Sequence, residues 1–185
     1  MRLRLATSQD AAAIHGIYAP VVRDTVISFE LEPPTEAELA RRITTTLETF
    51  PWLVAEESGS VRGYAYASRH RDRAAYGWSV DLAVYIHPDA HRQGVGRSLY
   101  QALFPILSRQ GVHAVYAGIT VPNVASVSLH EAVGLHLVGV YREVGFKFGT
   151  WLDVGWWEKQ LDGPTRAPQP IIPFPALCLP SLISP

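Results

Sequence analysis

The sequence predicts an α+β (mixed α/β) fold in which one sheet is flanked by helices. Two kinds of segment alternate along the chain. Some have the continuous or alternating apolar residues of strands, and others have apolar residues that recur at helical spacing. A glycine turn at residues 94–96 also separates the most apolar strand from a helix. The 185 residues are enough for one domain with its own core and too few for two of ordinary size.

In the first half of the chain, residues 3–5 alternate and predict a first strand. Residues 7–10 and residues 33–38 each carry a capping pattern, a threonine followed three residues later by an acid, and each precedes a helical run. Residues 52–57 and 61–67 flank the short sequence Ser-Gly-Ser. Two strand-like runs around such a loop predict a β-hairpin.

In the second half, the apolar run over residues 78–86 predicts a central strand. The helix after the glycine turn has Leu99 and Leu103 on its apolar face, and Pro105 predicts a kink or a local break in it. Strands are further predicted over residues 113–120, 135–142 and 151–158, with a short helix over residues 124–133.

The composition changes after residue 161. Seven of the chain's 14 prolines lie in residues 162–185, so this segment is predicted to be extended rather than helical. Its apolar residues, Ile171, Ile172, Phe174 and Leu177, predict that it packs on the domain or on a partner. We therefore expect a domain over residues 1–161 and a proline-rich extension over residues 162–185.

Composition excludes several classes of function. The net charge of −1 offers no global field for nucleic acid or for an anionic membrane. A single cysteine, Cys178, leaves no disulfide framework, cysteine zinc site or thiol nucleophile. No run approaches the roughly 20 apolar residues of a membrane span. We expect a cytoplasmic protein that binds no metal, nucleic acid or membrane.

The glycine turn is the most specific local motif, reading His91-Arg92-Gln93-Gly94-Val95-Gly96-Arg97. Without Cβ atoms, the glycines allow backbone N–H groups to approach a phosphate at the positive end of the following helix. Arg92 and Arg97 could bind further phosphate oxygens. A tight turn with a solvated basic rim is the alternative. A dinucleotide site is disfavoured because the third glycine is missing.

This run resembles the Q/R-x-x-G-x-G/A pyrophosphate motif of the GNAT acetyltransferases, with His91 where that family usually has glutamine or arginine. Longer stretches resemble one branch of the family, the phosphinothricin and methionine sulfoximine/sulfone acetyltransferases. They are Asp24 to Glu32, Pro51 to Glu56, Ala75 to Trp78, Val84 to Ile86, Ser128 to Gly134 and Gly145 to Gly155. The resemblance covers about residues 1–161.

For the fold and cofactor, the resemblance implies a central, mixed and largely antiparallel twisted sheet with a splayed parallel strand pair. Acetyl-CoA would lie in the splay, with its pantetheine arm bonded to strand backbone and a backbone N–H near Tyr85 or Ile86 facing the thioester carbonyl. Asn123 matches a coenzyme contact and could also be an ordinary helix cap. The implied cofactor-binding residues are Val84, Tyr85, Ile86, Arg92, Gln93, Gly94, Val95, Gly96, Arg97 and Asn123.

For the acceptor, the resemblance implies that basic residues in the connector hold the anionic end of the substrate. Arg71, Arg73 and Tyr76 match those positions, and Phe29 matches an aromatic loop residue near the site. Arginine can bind a carboxylate or phosphinate with two parallel bonds. On composition alone, the connector is better explained as a solvated loop.

Two residues are predicted to handle protons. Asp81 is an acid on an apolar strand, where the branch usually has glutamate, and it could instead belong to a buried ion pair. His130 matches a family histidine proposed for proton transfer, and it could instead be a packed helix residue. A primary amine has a pKa of roughly 10, so its attack on a thioester requires a proton acceptor.

The sequence therefore predicts an acetyl-CoA-dependent N-acetyltransferase for a small anionic amino acid or analogue, with direct attack by the amine. The resemblance also implies a homodimer. The alternatives are the same chemistry on another small amine or a peptide N-terminus, and a non-catalytic acyl-CoA sensor.

Overall fold

The computed structural model describes residues 1–161 and 167–177. Within them, a seven-stranded sheet has the order β1-β2-β3-β4-β5-β7-β6. The strands are β1 (Arg2–Leu5), β2 (Trp52–Glu57), β3 (Ser60–Arg69), β4 (Ser79–Ile86), β5 (Ala114–Val121), β6 (His136–Lys147) and β7 (Thr150–Gln160). The α-helices are α1 (Ala11–Asp24), α2 (Glu36–Leu47), α3 (Val95–Gln110) and α4 (Val124–Ala132). The α+β fold is confirmed.

The predicted capping patterns start both early helices. The Thr7 N–H donates to the Asp10 carboxylate at 2.7 Å, in the 3₁₀ turn that leads into α1. The Thr35 hydroxyl accepts from the Glu38 N–H at 3.2 Å, at the start of α2. Each bond satisfies a donor that would have no partner inside the helix.

The predicted break at Pro105 does not occur, since α3 is continuous from Val95 to Gln110. A proline inside a helix costs roughly 3 kcal/mol. The side chains around it, Leu103, Ile106 and Leu107, are almost completely buried. Burial of one such side chain contributes about 1.5–3 kcal/mol, so three of them offset the cost.

The predicted splayed strand pair is also confirmed. The parallel strands β4 and β5 pair only where Ser79–Asp81 face Ala114–Tyr116, although both strands continue for five more residues. Over that length β5 stays paired with β7 and β4 stays paired with β3. The sheet therefore contains an internal gap that begins after Asp81.

Two clusters of buried side chains cover the two faces of the sheet. One joins α3 and α4 to Val80, Leu82 and Val115, and we call this side the α3/α4 face. The other joins α1 and α2 to Val54 and Tyr64, on the α1/α2 face. Asp81 lies between Val80 and Leu82, so its side chain belongs to the α1/α2 face.

The β6–β7 hairpin is longer than predicted, because β6 continues from residue 142 to Lys147. The register between the two strands shifts between Tyr141 and Gly145, which interrupts the alternation that marks a strand. Lys147 is buried, and its Nζ donates to the carbonyl oxygens of Val22 and Ser28, both at 2.7 Å. The part of β6 after residue 142, which the sequence did not predict to be a strand, therefore anchors the loop after α1.

The described part of the extension packs on the domain. The Phe174 side chain is buried in the α3/α4-face cluster, and the Ile172 N–H donates to the Gln110 carbonyl at 2.8 Å. The Trp78 Nε1 donates to the Gln169 carbonyl at 2.7 Å. A 3₁₀ turn at Phe174–Ala176 interrupts the predicted extended course. The remaining residues of the extension, including Cys178, lie outside the described residues.

In the described part of the chain, no helix is both long and apolar enough to cross a bilayer.

Candidate active site

The gap in the sheet begins beside a close pair of titratable side chains. His70, which directly follows β3, has its Nδ1 2.6 Å from Asp81 Oδ1. The His70 side chain is 13% exposed and the Asp81 side chain 28%. Burial raises the pKa of the Asp81 carboxyl, and the hydrogen bond and charge of His70 act in the opposite direction. Asp81 therefore forms a half-buried pair with His70, which is close to the buried ion pair considered as an alternative from the sequence. The pair lies at the mouth of the gap.

Aromatic rings surround the His70 imidazole on three sides. Tyr116 of β5 stacks on it, with ring centroids 4.5 Å apart and an interplanar angle of 22°. Tyr76 and Trp156 meet it edge to face, at 5.9 and 6.0 Å. We call His70, Asp81, Tyr76, Tyr116 and Trp156 the histidine pocket. Its members come from the connector, β4, β5 and β7, so the sheet holds the imidazole in one orientation.

Arg71 is the predicted acceptor-binding residue that touches this pocket. Its guanidinium lies 5.6 Å from the Trp156 ring centroid, and its Nη1 donates to the His70 carbonyl at 2.7 Å. These contacts hold a cation beside Asp81 while the side chain remains exposed. Arg73 lies in the exposed connector, directly before the 3₁₀ turn that contains Tyr76.

Phe29 lies on the loop that Lys147 anchors. The ring packs against Gly145 of β6, where an added Cβ would collide with it. On either side, Ser28 and Glu30 both hydrogen-bond to the Tyr18 hydroxyl, at 2.8 and 2.9 Å. The loop is therefore fixed at both its polar and its aromatic residues, and Phe29 is held against the β6–β7 hairpin with 41% of its surface exposed.

The glycine turn forms the N-terminus of α3. Gly94 is the cap residue with φ +79°, a conformation that glycine adopts without the strain other residues incur. An added Cβ at Gly94 would meet no atom within 4 Å, so the turn is open on that side. Since the first N–H groups of a helix have no partners within it, this open terminus can bind an anion.

Two side chains of the glycine turn make hydrogen bonds within the protein, whereas its backbone remains open to an anion. Gln93 Nε2 donates to the Asp89 carbonyl at 2.7 Å, and His91 Nε2 is 3.1 Å from the Ile86 carbonyl. Gln93 therefore braces the glycine turn against the 3₁₀ turn at Pro88–Ala90, and His91 braces it against the end of β4. Arg92 and Arg97 are exposed, and Arg92 has φ +60°. Val95 is buried in the core and can offer only its backbone.

Gly96, a predicted cofactor-binding residue, also has a packing role. A Cβ there would approach Leu129 Cδ2 of α4 to 2.8 Å. The residue is therefore required for close packing of α3 on α4. We call Gly96, Tyr100, Leu129 and His130 the α3–α4 interface.

His130 lies inside that interface and is 4% exposed. Its Nε2 is 2.8 Å from the Tyr100 hydroxyl, and its Nδ1 is 2.8 Å from the Ser126 carbonyl. A carbonyl can only accept, so Nδ1 carries the proton and Nε2 accepts from Tyr100. Burial lowers the pKa of His130, which favours this neutral form. Both ring nitrogens are occupied, and neither is bonded to Asp81.

The four remaining predicted residues lie at the end of β4 and at the start of α4. Val84, Tyr85 and Ile86 form the end of β4 that β5 no longer pairs, with the Tyr85 ring packed edge to face on Tyr18 at 4.8 Å. Asn123 caps α4, since its Oδ1 accepts from the Ser126 N–H at 3.1 Å. The capping bond uses the side-chain oxygen and leaves the side-chain NH₂ group of Asn123 for other contacts.

The structure thus brings Asp81, Arg71 and Tyr76 to one pocket. The glycine turn follows the end of β4, the strand that carries Asp81. His130 is buried in the α3–α4 interface and is not part of this pocket. Sequence reasoning missed His70, Tyr116 and Trp156 as members of this pocket. The only sequence signal for His70 is its place in a polar connector next to three arginines. A cavity of about 480 Å³ lined by Arg4, Asp10, Ser60 and His87 contains none of the predicted site residues.

Within the described residues, no group of three or more His, Cys, Asp or Glu side chains is arranged to hold a metal ion.

Known proteins resemble the chain over nearly all of its length. The sequence profile of the acetyltransferase (GNAT) domain matches residues 3–156. A phosphinothricin N-acetyltransferase of Streptomyces viridochromogenes is 38% identical over 173 residues, covering 94% of each chain. An L-methionine sulfoximine/L-methionine sulfone acetyltransferase of Salmonella typhimurium is 36% identical over 163 residues, covering 88% of this chain and 95% of that one.

A solved structure is similarly close. The GNAT superfamily phosphinothricin acetyltransferase from Sinorhizobium meliloti, crystallised in complex with AcCoA, superposes with a TM-score of 0.87 at 36% identity. The match covers 93% of this chain and 95% of that one.

Proposed function

Because the chain belongs to the GNAT acetyltransferase family, we propose that it transfers the acetyl group of acetyl-CoA to the amino group of a small anionic amino acid. The acceptor class is that of phosphinothricin and of methionine sulfoximine or sulfone, the compounds for which the relatives are named. The observation that carries the proposal is the histidine pocket with Arg71 beside it, at the mouth of the gap between β4 and β5.

The residues along the gap fit acetyl-CoA. The unpaired edge of β4 from Leu82 to Ile86 offers backbone groups to an extended arm, as a neighbouring strand would. Gly94 leaves the N-terminus of α3 open to a phosphate, and Arg92 and Arg97 lie exposed beside it. A backbone N–H near Tyr85 or Ile86 would stabilise charge on the carbonyl oxygen of the acetyl group.

The acceptor side fits a small amino acid with an anionic end. Arg71, fixed over Trp156, would hold the anion, with Arg73 and Tyr76 beside it on the same connector. Phe29 would close the pocket from the loop after α1. Two arginines so close together disfavour polycationic acceptors such as aminoglycosides by like-charge repulsion.

Asp81 places a negative charge in the pocket where the acceptor's ammonium group would lose its proton. An amine is a nucleophile only when its lone pair is free, and a positioned base contributes roughly 10²–10⁴-fold in rate. Attack on the thioester is direct, since Cys178 is the only cysteine and lies in the extension.

A panel assay tests this function. Release of free thiol from acetyl-CoA is measured with phosphinothricin, methionine sulfone, methionine sulfoximine, an aminoglycoside and a peptide with a free N-terminus. We expect the three anionic amino acids to give the highest kcat/KM. Preference for the peptide would assign the same chemistry to another acceptor. Tight acetyl-CoA binding without acetylation of any amine would indicate a sensor.

The cofactor site can be tested with a matched pair of glycines at the two ends of α3. Gly94 and Gly111 both have positive φ, +79° and +89°, and an added Cβ at either meets nothing within 4 Å. Gly94→Ala and Gly111→Ala therefore carry a similar strain of roughly 1–2 kcal/mol. We expect calorimetry to show weaker acetyl-CoA binding in Gly94→Ala alone. Equal affinities in the two variants would contradict the phosphate site.

The active protein is proposed to be a cytoplasmic homodimer. The exposed side chains of the β6–β7 hairpin are unusually apolar and include Tyr141, Val144, Phe146, Phe148 and Trp151, each at least 50% exposed. Exposed apolar side chains concentrated on one hairpin are typical of a contact between proteins. Light scattering should give twice the chain mass, and Phe146→Asp should shift the protein towards monomer. A wild-type monomer at all concentrations would contradict the dimer.

A further inference from the structure

The histidine pocket contains a group that the proposed function does not yet use, the second nitrogen of His70. Nδ1 is bonded to Asp81 at 2.6 Å. Among the described residues Nε2 has no hydrogen-bond partner, and it is not one of the polar atoms that are buried without one. Nε2 is therefore not fully enclosed, although three aromatic rings contact the imidazole and the His70 side chain is only 13% exposed.

The bond to Asp81 decides which nitrogen carries the proton. A carboxylate only accepts, so it fixes the proton of the neutral ring on Nδ1 and leaves the lone pair on Nε2. Stacking on Tyr116 and the edge contacts of Tyr76 and Trp156 prevent the ring from turning. A base with a fixed tautomer and a fixed direction is what proton abstraction requires.

Other charged and titratable groups also face the ring. Burial raises the pKa of Asp81, and the positive charge of Arg71, from the connector, opposes that rise. Tyr116 of β5 has its pKa raised by burial and by the neighbouring Glu158 of β7, so its phenol stays neutral near pH 7. Tyr76 is the remaining phenol in contact with the ring. The carboxylate of Asp81 is the only anion bonded to His70 within the described residues.

We propose that His70 is a catalytic residue that takes the amine proton on Nε2, while Asp81 is a positioning residue that holds its tautomer. This inference rests on the proposed function and specifies its base. The acceptor amine would lie between Nε2 and the gap in the sheet, with its anionic end on Arg71.

The proton balance of the reaction is complete with these groups. Nε2 takes one proton from the ammonium group and becomes imidazolium, stabilised by the Asp81 carboxylate. The freed amine lone pair forms the new C–N bond at the acetyl carbonyl, and the C–S bond then breaks. The departing thiolate takes the second proton from the nitrogen of the amide that is forming. The imidazolium afterwards releases its proton to water, which regenerates the base.

The first test needs no substrate. Nitrogen-15 correlation spectra of the histidine rings report which ring nitrogen carries the proton in the free protein. We expect His70 to show the Nδ1–H tautomer in the wild type and to lose that preference in Asp81→Asn. An Nε2–H tautomer in the wild type would overturn the proposal, because Nε2 would then have no lone pair to offer.

The second test is kinetic and uses chemical rescue. We expect His70→Ala to lower kcat by about 10²-fold, and added imidazole to restore a substantial part of it. The pH–rate profile should lose the limb that depends on a free base and keep the one that depends on the amine. His113→Ala, which removes an exposed histidine directly before β5, is the control and should show neither loss nor rescue.

The outcomes separate the two levels of the proposal. A folded His70→Ala variant with wild-type kcat and an unchanged pH profile would overturn the role of His70 and leave the acetyltransferase function intact. A loss that imidazole does not restore, together with a lowered thermal midpoint, would make His70 a structural partner of Asp81. A wild type that acetylates no amine would refute the proposed function, and the tautomer measurement would still decide on the pair.

Discussion

Two histidines of this chain make similar hydrogen bonds in very different places. His70 binds Asp81 on the α1/α2 face at the mouth of the gap, and its other ring nitrogen has no hydrogen-bond partner among the described residues. His130 binds Tyr100 and Ser126 inside the α3–α4 interface, with both nitrogens occupied. The histidine pocket is therefore arranged to accept a proton, and the α3–α4 interface is arranged to hold two helices together.

We infer from the difference that access to the ring, more than residue type or hydrogen bonding, separates a reactive histidine from a structural one. Burial lowers the pKa of His130 and keeps its ring neutral, as proton acceptance also requires. Yet the Tyr100 hydroxyl, which belongs to a completely buried side chain, already occupies the ring nitrogen that could accept a proton. The resemblance to the family predicted proton transfer at His130, and this prediction is the one that the following experiments can most usefully test.

The largest effect is expected in the histidine pocket, from Asp81→Asn. The amide nearly keeps the shape of the carboxylate but cannot stabilise an imidazolium, and it can also donate to Nδ1. We expect kcat to fall by roughly 10²-fold or more with little change in acetyl-CoA affinity. Steady-state kinetics and calorimetry measure both. An unchanged kcat with a lowered thermal midpoint would make the pocket structural, like the α3–α4 interface.

A smaller effect is expected from Arg71→Ala, which leaves the proton acceptor in place and removes the cation over Trp156. Truncating one partner of a buried charge pair commonly costs about 2–5 kcal/mol, and this exposed side chain belongs at the lower end. KM for the anionic amino acid should rise tens-fold, while KM for acetyl-CoA stays the same. Arg73→Ala, on the same connector without a contact to the pocket rings, is the comparison and should cost less. Equal KM values in wild type and Arg71→Ala would leave the connector as a solvated loop.

The smallest effect is expected from His130→Gln in the α3–α4 interface, and it concerns stability. The folded-state pKa of His130 lies below its ordinary value of 6.5, so the unfolded chain binds the proton more readily. The wild type should lose stability as the pH falls below about 6.5, by at most about 1.4 kcal/mol per pH unit. Lacking this proton site, the variant should be less stable than wild type at pH 7.5 and closer to it at pH 5.5.

Urea denaturation at the two pH values measures that difference. Tyr100→Phe is the matched variant, since it removes the hydroxyl bonded to Nε2 and keeps the histidine. We expect kcat of both variants to stay within a few-fold of wild type. A folded His130→Gln protein with kcat reduced 10²-fold would support proton transfer by His130. It would then contradict the distinction between the two histidines.

Much of the fold was predictable because its signals are local. A capping threonine and an acid three residues later mark the helix starts, and apolar periodicity marks the strands. The end of β6 was not predictable, since the register shift before Gly145 breaks the alternation and Lys147 is buried through contacts with Val22 and Ser28. A lysine usually indicates surface, and nothing in the sequence reveals those partners.

The site was predictable in part for the same reason. Asp81 stands out because an acid interrupts an apolar strand, and the glycine turn because of its spacing. His70 does not stand out, because its neighbours along the chain are charged and its partners Tyr116 and Trp156 are far away in sequence. The spacing of the motif also gives no sign that Gly96 packs against Leu129, because that contact depends on how two helices cross. Such contacts follow from tertiary packing, which periodicity does not encode.

The gap between β4 and β5 also bears on aggregation. An unpaired strand edge normally invites another protein chain to add to the sheet, and proteins protect such edges at the rim with charge, bulges or covering loops. Here the unpaired lengths of β4 and β5 face each other inside the sheet, with β3 and β7 on their outer sides. A folded protein is too thick to enter a slot of this kind, whereas a single extended arm can enter it lengthwise. The sheet therefore keeps exposed backbone available for recognition without becoming a template for misassembly.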